Sequence, residues 1–305
     1  MPNQFYIMYK QEQNRPLQTL KVANNSELLN FLIEQKVKKS RSAIKLLLTH
    51  KQVKVNNKVV TPHNYQLVSG DIVTIHKTTK KREYKQLRGL RIIYEDDALV
   101  VINKEAGLLA IATDKEKRET AYSIVSEYLK DSNFKSRVFV LHRLDRETSG
   151  LMMFAKNEEV QEIMQKNWDD IILTRSYVAV VKGVLSPEKG EIVSWLTEDK
   201  NYVMHSSSTD NGGQKAITHY RTLKTNNHFS LIELNLETGR KNQIRVHLQH
   251  VGHPIVGDKK YGSRDSLIRR VALHANELVF VHPITKETLQ FKLAIPEKMK
   301  SLLNN

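Results

Sequence analysis

No cysteine occurs in the 305 residues of this chain, so disulfides and thiolate metal sites are excluded and a reducing compartment fits. Long apolar runs are missing too. No stretch approaches the roughly 18 residues that span a bilayer. Residues 1–10 lack the basic-then-apolar order of a secretory signal. A soluble, cytoplasmic protein without a membrane association is therefore expected. Neither a P-loop nor GxGxxG occurs, so no nucleotide cofactor is expected. The HExxH and His-Cys spacings of zinc sites are absent as well. The nearest approach, His247-x-x-His250-x-x-His253, reads as structural, so no metal is expected.

Acidic residues are scarce in one region in particular. Residues 1–90 hold 17 lysines and arginines against 5 acidic residues, a net of +12, while the whole chain carries +15. A cationic excess confined to less than a third of the chain favours a phosphate-backbone partner over a merely solubilising face or an anionic membrane surface. The rest is ordinary. Hydrophobic residues make up 40% and charged residues 27%, enough for a substantial core in one to three domains. No obligate protein partner is indicated.

The first domain is read as residues 1–80. Ser26 is a candidate cap for a short helix carrying Leu28, Leu29, Phe31 and Leu32, and Ser40 for a second carrying Ala43, Ile44, Leu47 and Leu48. Val53-Lys54-Val55-Asn56-Asn57-Lys58-Val59-Val60 reads as a tight hairpin, because asparagine tolerates the positive φ of a primed turn. A turn at Ser69-Gly70-Asp71 precedes a closing strand. This order, with Ser-Arg-Ser at 40–42, Val53-Lys54-Val55-Asn56 and Gly70-Asp71-Ile72-Val73, resembles the S4 RNA-binding domain. The resemblance implies that Lys38, Lys39, Arg41 and Lys45 face structured RNA.

Residues 81–90 are read as a basic linker, 91–298 as the second domain and 299–305 as a tail. Short β-branched runs at 98–102, 177–181, 217–220, 230–236, 278–281 and 289–291 outnumber the helical patterns at 121–129 and 158–168. The expected class is α+β, with a largely antiparallel mixed sheet.

That second domain contains Leu141-His142-Arg143-Leu144-Asp145-Arg146-Glu147-Thr148-Ser149-Gly150. Asp145 stands between two arginines, and nearby positive charge favours the ionised carboxyl, suited to nucleophilic or base chemistry. By itself an Arg-x-Asp-Arg run is more often a surface ion-pair cluster. The whole string resembles the catalytic motif of the RluA-type RNA pseudouridine synthases. Three further segments extend the resemblance: Asn103-Lys104-Glu105-Ala106-Gly107, Arg175-Ser176-Tyr177-Val178-Ala179, and Thr238-Gly239-Arg240-Lys241-Asn242-Gln243-Ile244-Arg245 with Gly257-Asp258 and Tyr261-Gly262. Glu105 stands where the family usually has proline, and Lys241-Asn242 where many relatives have Thr-His, so those roles are left open. Lys104 is given no more than a supporting or RNA-contacting role.

The resemblance implies a set of roles. Asp145 is the catalytic carboxylate, Arg245 its ion-pair partner and Tyr177 the aromatic platform under the target base, with help in removing the C5 proton. Arg143 fills the space left by a flipped nucleotide, and Arg146 and Gln243 bind substrate. His142 reads as positioning the motif. The reaction would break the N-glycosidic bond of uridine, turn the uracil and rejoin it through C5, without a cofactor. Large-subunit ribosomal RNA is the first expected substrate and tRNA the second. A noncatalytic RNA-binding assembly factor, a hydrolase pairing Asp145 with Glu147, and a polyanion-binding surface protein are the alternatives.

Overall fold

The structure, a computed structural model, describes residues 16–38, 40–49, 52–76, 85–113, 116, 119–132, 134, 136–262 and 267–304. The chain divides into two compact units, drawn from residues 11–83 and 84–305.

The small unit pairs strands Gln18–Lys21, Ile72–Ile75, Val53–Val55 and Lys58–Val59 in that order, all antiparallel, with helices Leu28–Glu34 and Arg41–Thr49. Leu28, Leu32, Ile44, Leu48, Val53 and Val73 are buried together as its core. The hairpin turns on Asn56 and Asn57 at φ +48° and +67°, the left-handed pair of a primed turn. Asn56 also binds Asp71 and the Ile72 amide, which joins this turn to the one at Gly70. Ser40 caps the second helix, its Oγ accepting from the Ala43 amide at 3.2 Å. Ser26 does not cap the first. It lies in the two-residue strand Ser26–Glu27, paired with Gln66–Leu67, and Glu27 takes the cap position without a side-chain bond. Strand pairing there overrides the capping preference.

The large unit is built on a twelve-stranded sheet. Its expected linker ends early: Gln86–Leu87 is already a strand, folded back on Leu90–Glu95. Strands Leu99–Lys104 and Ser149–Ala155 read as unbroken apolar runs because both their faces are covered. Val100, Ile102, Met152 and Phe154 join one core cluster, and Leu99, Val101, Leu151 and Met153 join another. Every pairing in this sheet is antiparallel except that of Ser149–Ala155 with Leu273–Val281. There Gly150, at φ +116°, faces Ala275 so closely that a Cβ would stand 2.1 Å from the Ala275 carbonyl oxygen. Only glycine fits.

Residues 299–303, expected as part of a tail, instead continue the helix Glu297–Lys300 into a short turn that buries Met299, Leu302 and Leu303 in the main core. Among the described residues no helix is long and apolar enough to cross a membrane.

Candidate active site

Asp145 sits in the loop that feeds strand Ser149–Ala155, and that loop is fixed from several sides. Leu144 is buried in the core, and the Thr148 amide donates to the Asp145 carbonyl at 3.1 Å to close the turn. Arg146 and Gly107 exchange bonds: the Gly107 amide donates to the Arg146 carbonyl at 2.7 Å, and Arg146 Nε donates to the Gly107 carbonyl at 3.0 Å. Lys104, fully buried, donates from Nζ to the carbonyls of Glu105, Leu108 and Arg146 at 2.9, 2.7 and 3.2 Å. One ammonium thus ties two loops together through carbonyls that burial would otherwise leave unpaired. On the far side Ser149 Oγ and His274 Nδ1 are 2.7 Å apart, and Arg270 donates to the same Oγ at 2.6 Å.

The Asp145 side chain keeps about 22% of its surface exposed. Two groups from the helix Gln243–His250 and its cap reach it at a single oxygen. Asn242 Nδ2 donates to Oδ2 at 2.6 Å, and Arg245 Nη1 approaches the same atom at 3.4 Å. Arg245 spends its better geometry elsewhere. Its Nε and Nη2 form a two-pronged pair with Asp258 Oδ2 and Oδ1 at 2.7 and 2.8 Å, and Asp258 is wholly buried. The expected Arg245–Asp145 ion pair is therefore present as a long single contact, secondary to Arg245–Asp258. The Lys260 and Tyr261 amides also donate to Asp258 Oδ1, at 3.1 and 3.2 Å.

Asp145 opens on a cleft also lined by Arg143, Arg175, Tyr177, Arg240 and Arg245. Asp145 is the one acid among the described residues lining it, set among four arginines. Gly239 leaves room for Arg175, whose Nη2 would lie 3.2 Å from a Cβ there, and Arg175 in turn lies over the Trp168 ring at 5.4 Å. The arrangement suits a polyanion whose reacting group must meet one carboxylate.

Comparison with known proteins gives the family of both domains. Residues 98–250 match the family described as RNA pseudouridylate synthase, and residues 28–73 match the S4 domain. Over 282 residues the chain is 33% identical to the uncharacterized RNA pseudouridine synthase YhcT of Bacillus subtilis, covering 91% of this chain and 93% of that one. This chain belongs to the RluA-type RNA pseudouridine synthases. It is also 33% identical to ribosomal large subunit pseudouridine synthase D of Neisseria meningitidis over 87% of its length and 74% of the relative's. The tRNA pseudouridine synthase C of Haemophilus ducreyi is 34% identical over 70% of this chain and 95% of its own. A solved structure, human RNA pseudouridylate synthase domain containing 4, superposes with a TM-score of 0.58 over 71% of this chain and 92% of that one, at 24% identity, which speaks for the fold.

Within the synthase, the residues expected at the site divide into three groups. Arg143, Asp145, Tyr177 and Arg245 meet at the cleft, and Arg143 is exposed with no partner among the described residues. Gln243 lines the cleft but has no bond to spare for substrate. Its Oε1 accepts from Thr238 Oγ1 and the Arg240 amide at 2.8 and 2.9 Å, and its Nε2 donates to the Ile217 carbonyl and Thr218 Oγ1, both at 2.9 Å. With all four positions used, Gln243 holds the 238–243 turn to the sheet, and its expected substrate contact is withdrawn. Arg146 points to Gly107 and is not among the cleft residues. Lys104 supports the loops from inside and has no surface for RNA.

Asn242, Arg175 and Asp258 carry no role that the sequence predicts. Asp258 stands in a segment that carries the family resemblance, but nothing in the sequence shows that it faces Arg245. Asn242 is left-handed at φ +53° and heads the helix Gln243–His250 without capping it. Such a conformation in a residue other than glycine costs on the order of 1 kcal/mol and tends to mark functional positions.

Burial sets the protonation states around the cleft. It pushes the Tyr177 phenol above its ordinary value, with Asp145 adding to the rise and Arg175 opposing it, so Tyr177 is protonated at neutral pH. Burial lowers the Lys104 ammonium to about 7, a fall that the carboxylates of Asp145 and Glu147 oppose. His142 is lowered to about 3, chiefly by burial and then by Arg175. Neutral His142 accepts from the Met153 amide at 3.1 Å, which fits a positioning role in the motif. The histidine run is dispersed: His247 is buried against Ser194, His250 is exposed, and His253 binds the Lys182 carbonyl. Glu191, His219 and Glu237 do have metal-like proximity, as an exposed ion-pair cluster across the strands.

In the S4 unit, Lys38 and Arg41 line a shallow groove with Lys36, Ser40, Ile33 and Ile44, and Lys45 is exposed one turn along from Arg41. Lys36 is a basic residue that the sequence pattern does not single out. Lys39 lies outside the described residues.

Proposed function

We propose that this synthase isomerises uridine in large-subunit ribosomal RNA with Asp145 as its catalytic carboxylate. One observation carries the assignment: among the described residues Asp145 is the single acid lining a cleft of four arginines, partly exposed and held from one side only. A two-carboxylate hydrolase finds no second acid there among the described residues, since Glu147 does not line the cleft.

The target uridine leaves its stack to reach the cleft. Arg143, exposed and uncommitted, takes the vacated space, where a guanidinium stacks on bases and meets phosphate together. Asp145 attacks, at C6 of the base or at the ribose C1′. The N-glycosidic bond breaks, the uracil turns over Tyr177, and a C1′–C5 bond forms as Asp145 is released. The C5 proton is then lost and N1 is protonated, so the product has the mass of the substrate and no redox partner is needed. Because the Tyr177 phenol is itself protonated at neutral pH, its part is that of a platform and hydrogen-bonding group, and the freed Asp145 carboxylate is the base for C5 within the cleft.

Ribosomal RNA is favoured because relatives named for the large subunit match 87% of this chain, against 70% for the relative named for tRNA. The test is to incubate the protein and Asp145→Asn with unmodified large-subunit rRNA and tRNA, then digest and quantify pseudouridine. Pseudouridine in rRNA should fall by on the order of 10⁴-fold or more in the variant, with RNA affinity retained. Activity confined to tRNA replaces the substrate; activity surviving Asp145→Asn removes the catalytic assignment.

A further inference from the structure

We propose that Asn242 and Tyr261 are positioning residues that fix which oxygen of Asp145 reacts, an inference that rests on Asp145 being the catalytic carboxylate. Both close contacts to that carboxylate, from Asn242 Nδ2 and Arg245 Nη1, fall on Oδ2. Oδ1 has no hydrogen-bond partner among the described residues, and the carboxylate borders the cleft. Oδ2 is the held atom and Oδ1 the attacking one.

Asn242 is committed to this task at the expense of its local one. An asparagine heading a helix ordinarily turns its side chain back to cap the first amides. Here the backbone is left-handed and the side chain makes no cap bond. Its two ends are instead used across the fold. Nδ2 donates to Asp145, and Oδ1 accepts from the Tyr261 hydroxyl at 2.9 Å. Tyr261 is itself fixed: it is almost wholly buried, and its hydroxyl oxygen accepts from the Met204 amide at 3.2 Å. That acceptance orients the hydroxyl proton toward Asn242, and the Tyr261 bond in turn settles the amide with its nitrogen toward Asp145. The chain Met204–Tyr261–Asn242–Asp145 is a directional relay of hydrogen bonds with no titrating group between Tyr261 and the carboxylate.

Arg245 cannot substitute for this hold, because its two best donors are taken by Asp258. A histidine at that position would also offer an N–H to Oδ2, so a donor is what the proposal requires of residue 242.

Asn242→Ala, Asn242→His, Tyr261→Phe and the double variant Asn242→Ala/Tyr261→Phe are compared with wild type on the RNA that supports turnover, with folding checked by tryptophan fluorescence. Asn242→Ala should lower kcat roughly 10- to 100-fold, the range seen when an orienting hydrogen bond behind a reacting group is removed, with KM little changed. Asn242→His should restore most of kcat. Tyr261→Phe should lose less than Asn242→Ala, and the double variant should be no slower than Asn242→Ala alone, because the two act through one bond. Wild-type kcat in Asn242→Ala, a loss confined to KM, or additive effects of the two substitutions overturns the proposal while leaving Asp145 in place. A wild type that forms no pseudouridine on any RNA, by contrast, removes the catalytic reading and this inference with it.

Discussion

The two units hold their charge in opposite ways. Among the described residues of the small unit no ion pair forms, and Lys36, Lys38, Arg41 and Lys45 stand at or beside one groove. The large unit, nearly neutral over its length, buries its decisive charges: Arg245 against Asp258, and Lys104 beneath the Asp145 loop. An exposed cation meets phosphate through water at many positions, so its contribution is graded and shared. A buried one has fixed partners in a single geometry, and losing the main partner leaves a charge the interior cannot solvate. Exposed cations are thus spread over the more basic unit, and the candidate catalytic carboxylate lies in the less basic one.

The sharpest way to break that contrast is Asp258→Asn. Arg245 then keeps a buried guanidinium without its main partner, and the large unit should lose about 3–5 kcal/mol of stability. Trp168 and Trp195, the two tryptophans of the chain, both lie in that unit, so urea unfolding followed by tryptophan fluorescence reports it separately. A loss under about 1 kcal/mol would mean the pair behaves like a surface salt bridge.

Acid offers the next test. His247 is lowered to about 4, first by burial and then by His250, from an ordinary 6.5. As pH falls below 6.5 the unfolded chain takes up a proton that the folded one refuses, so stability falls with it. Between pH 7 and pH 5 this histidine should account for about 2 kcal/mol, a share absent from His247→Gln. The same unfolding curves at the two pH values measure it; identical pH dependence in the variant would show that His247 accepts its proton when folded.

Smallest per residue is the effect on the exposed side. Arg41→Glu with Lys45→Glu should weaken RNA binding and lower the salt slope by about one for each phosphate no longer neutralised, with kcat at saturating RNA unchanged. Filter binding from low to high salt reads the slope. An unaltered slope would place the RNA-facing cations elsewhere.

Much of this is legible in the linear chain. The Asn56-Asn57 hairpin and the Ser40 cap follow from residues acting on their own neighbours, and the paired strands Leu99–Lys104 and Ser149–Ala155 are visible as apolar runs. Ser26 defeats the capping rule because a partner forty residues away claims its backbone for a strand. The helix Gln243–His250 escapes notice because nearly all its side chains are buried, Gln243, Arg245 and His247 among them, so no polar face marks its period. Gln243 has the look of a substrate ligand, yet its four bonds are spent inside the protein.

The sequence by itself determined the family, the basic small domain and the candidate residues around Asp145, since motif identity and charge are properties of the residues and their order. Tertiary structure decided which of those residues have atoms left to offer a substrate. Arg245 turned to Asp258, Gln243 to the sheet, Lys104 to three carbonyls and Asn242 to Asp145. A hydrogen bond is saturable and directional, so its assignment depends on what lies within about 3 Å, and residues a hundred positions apart become neighbours only when the chain folds.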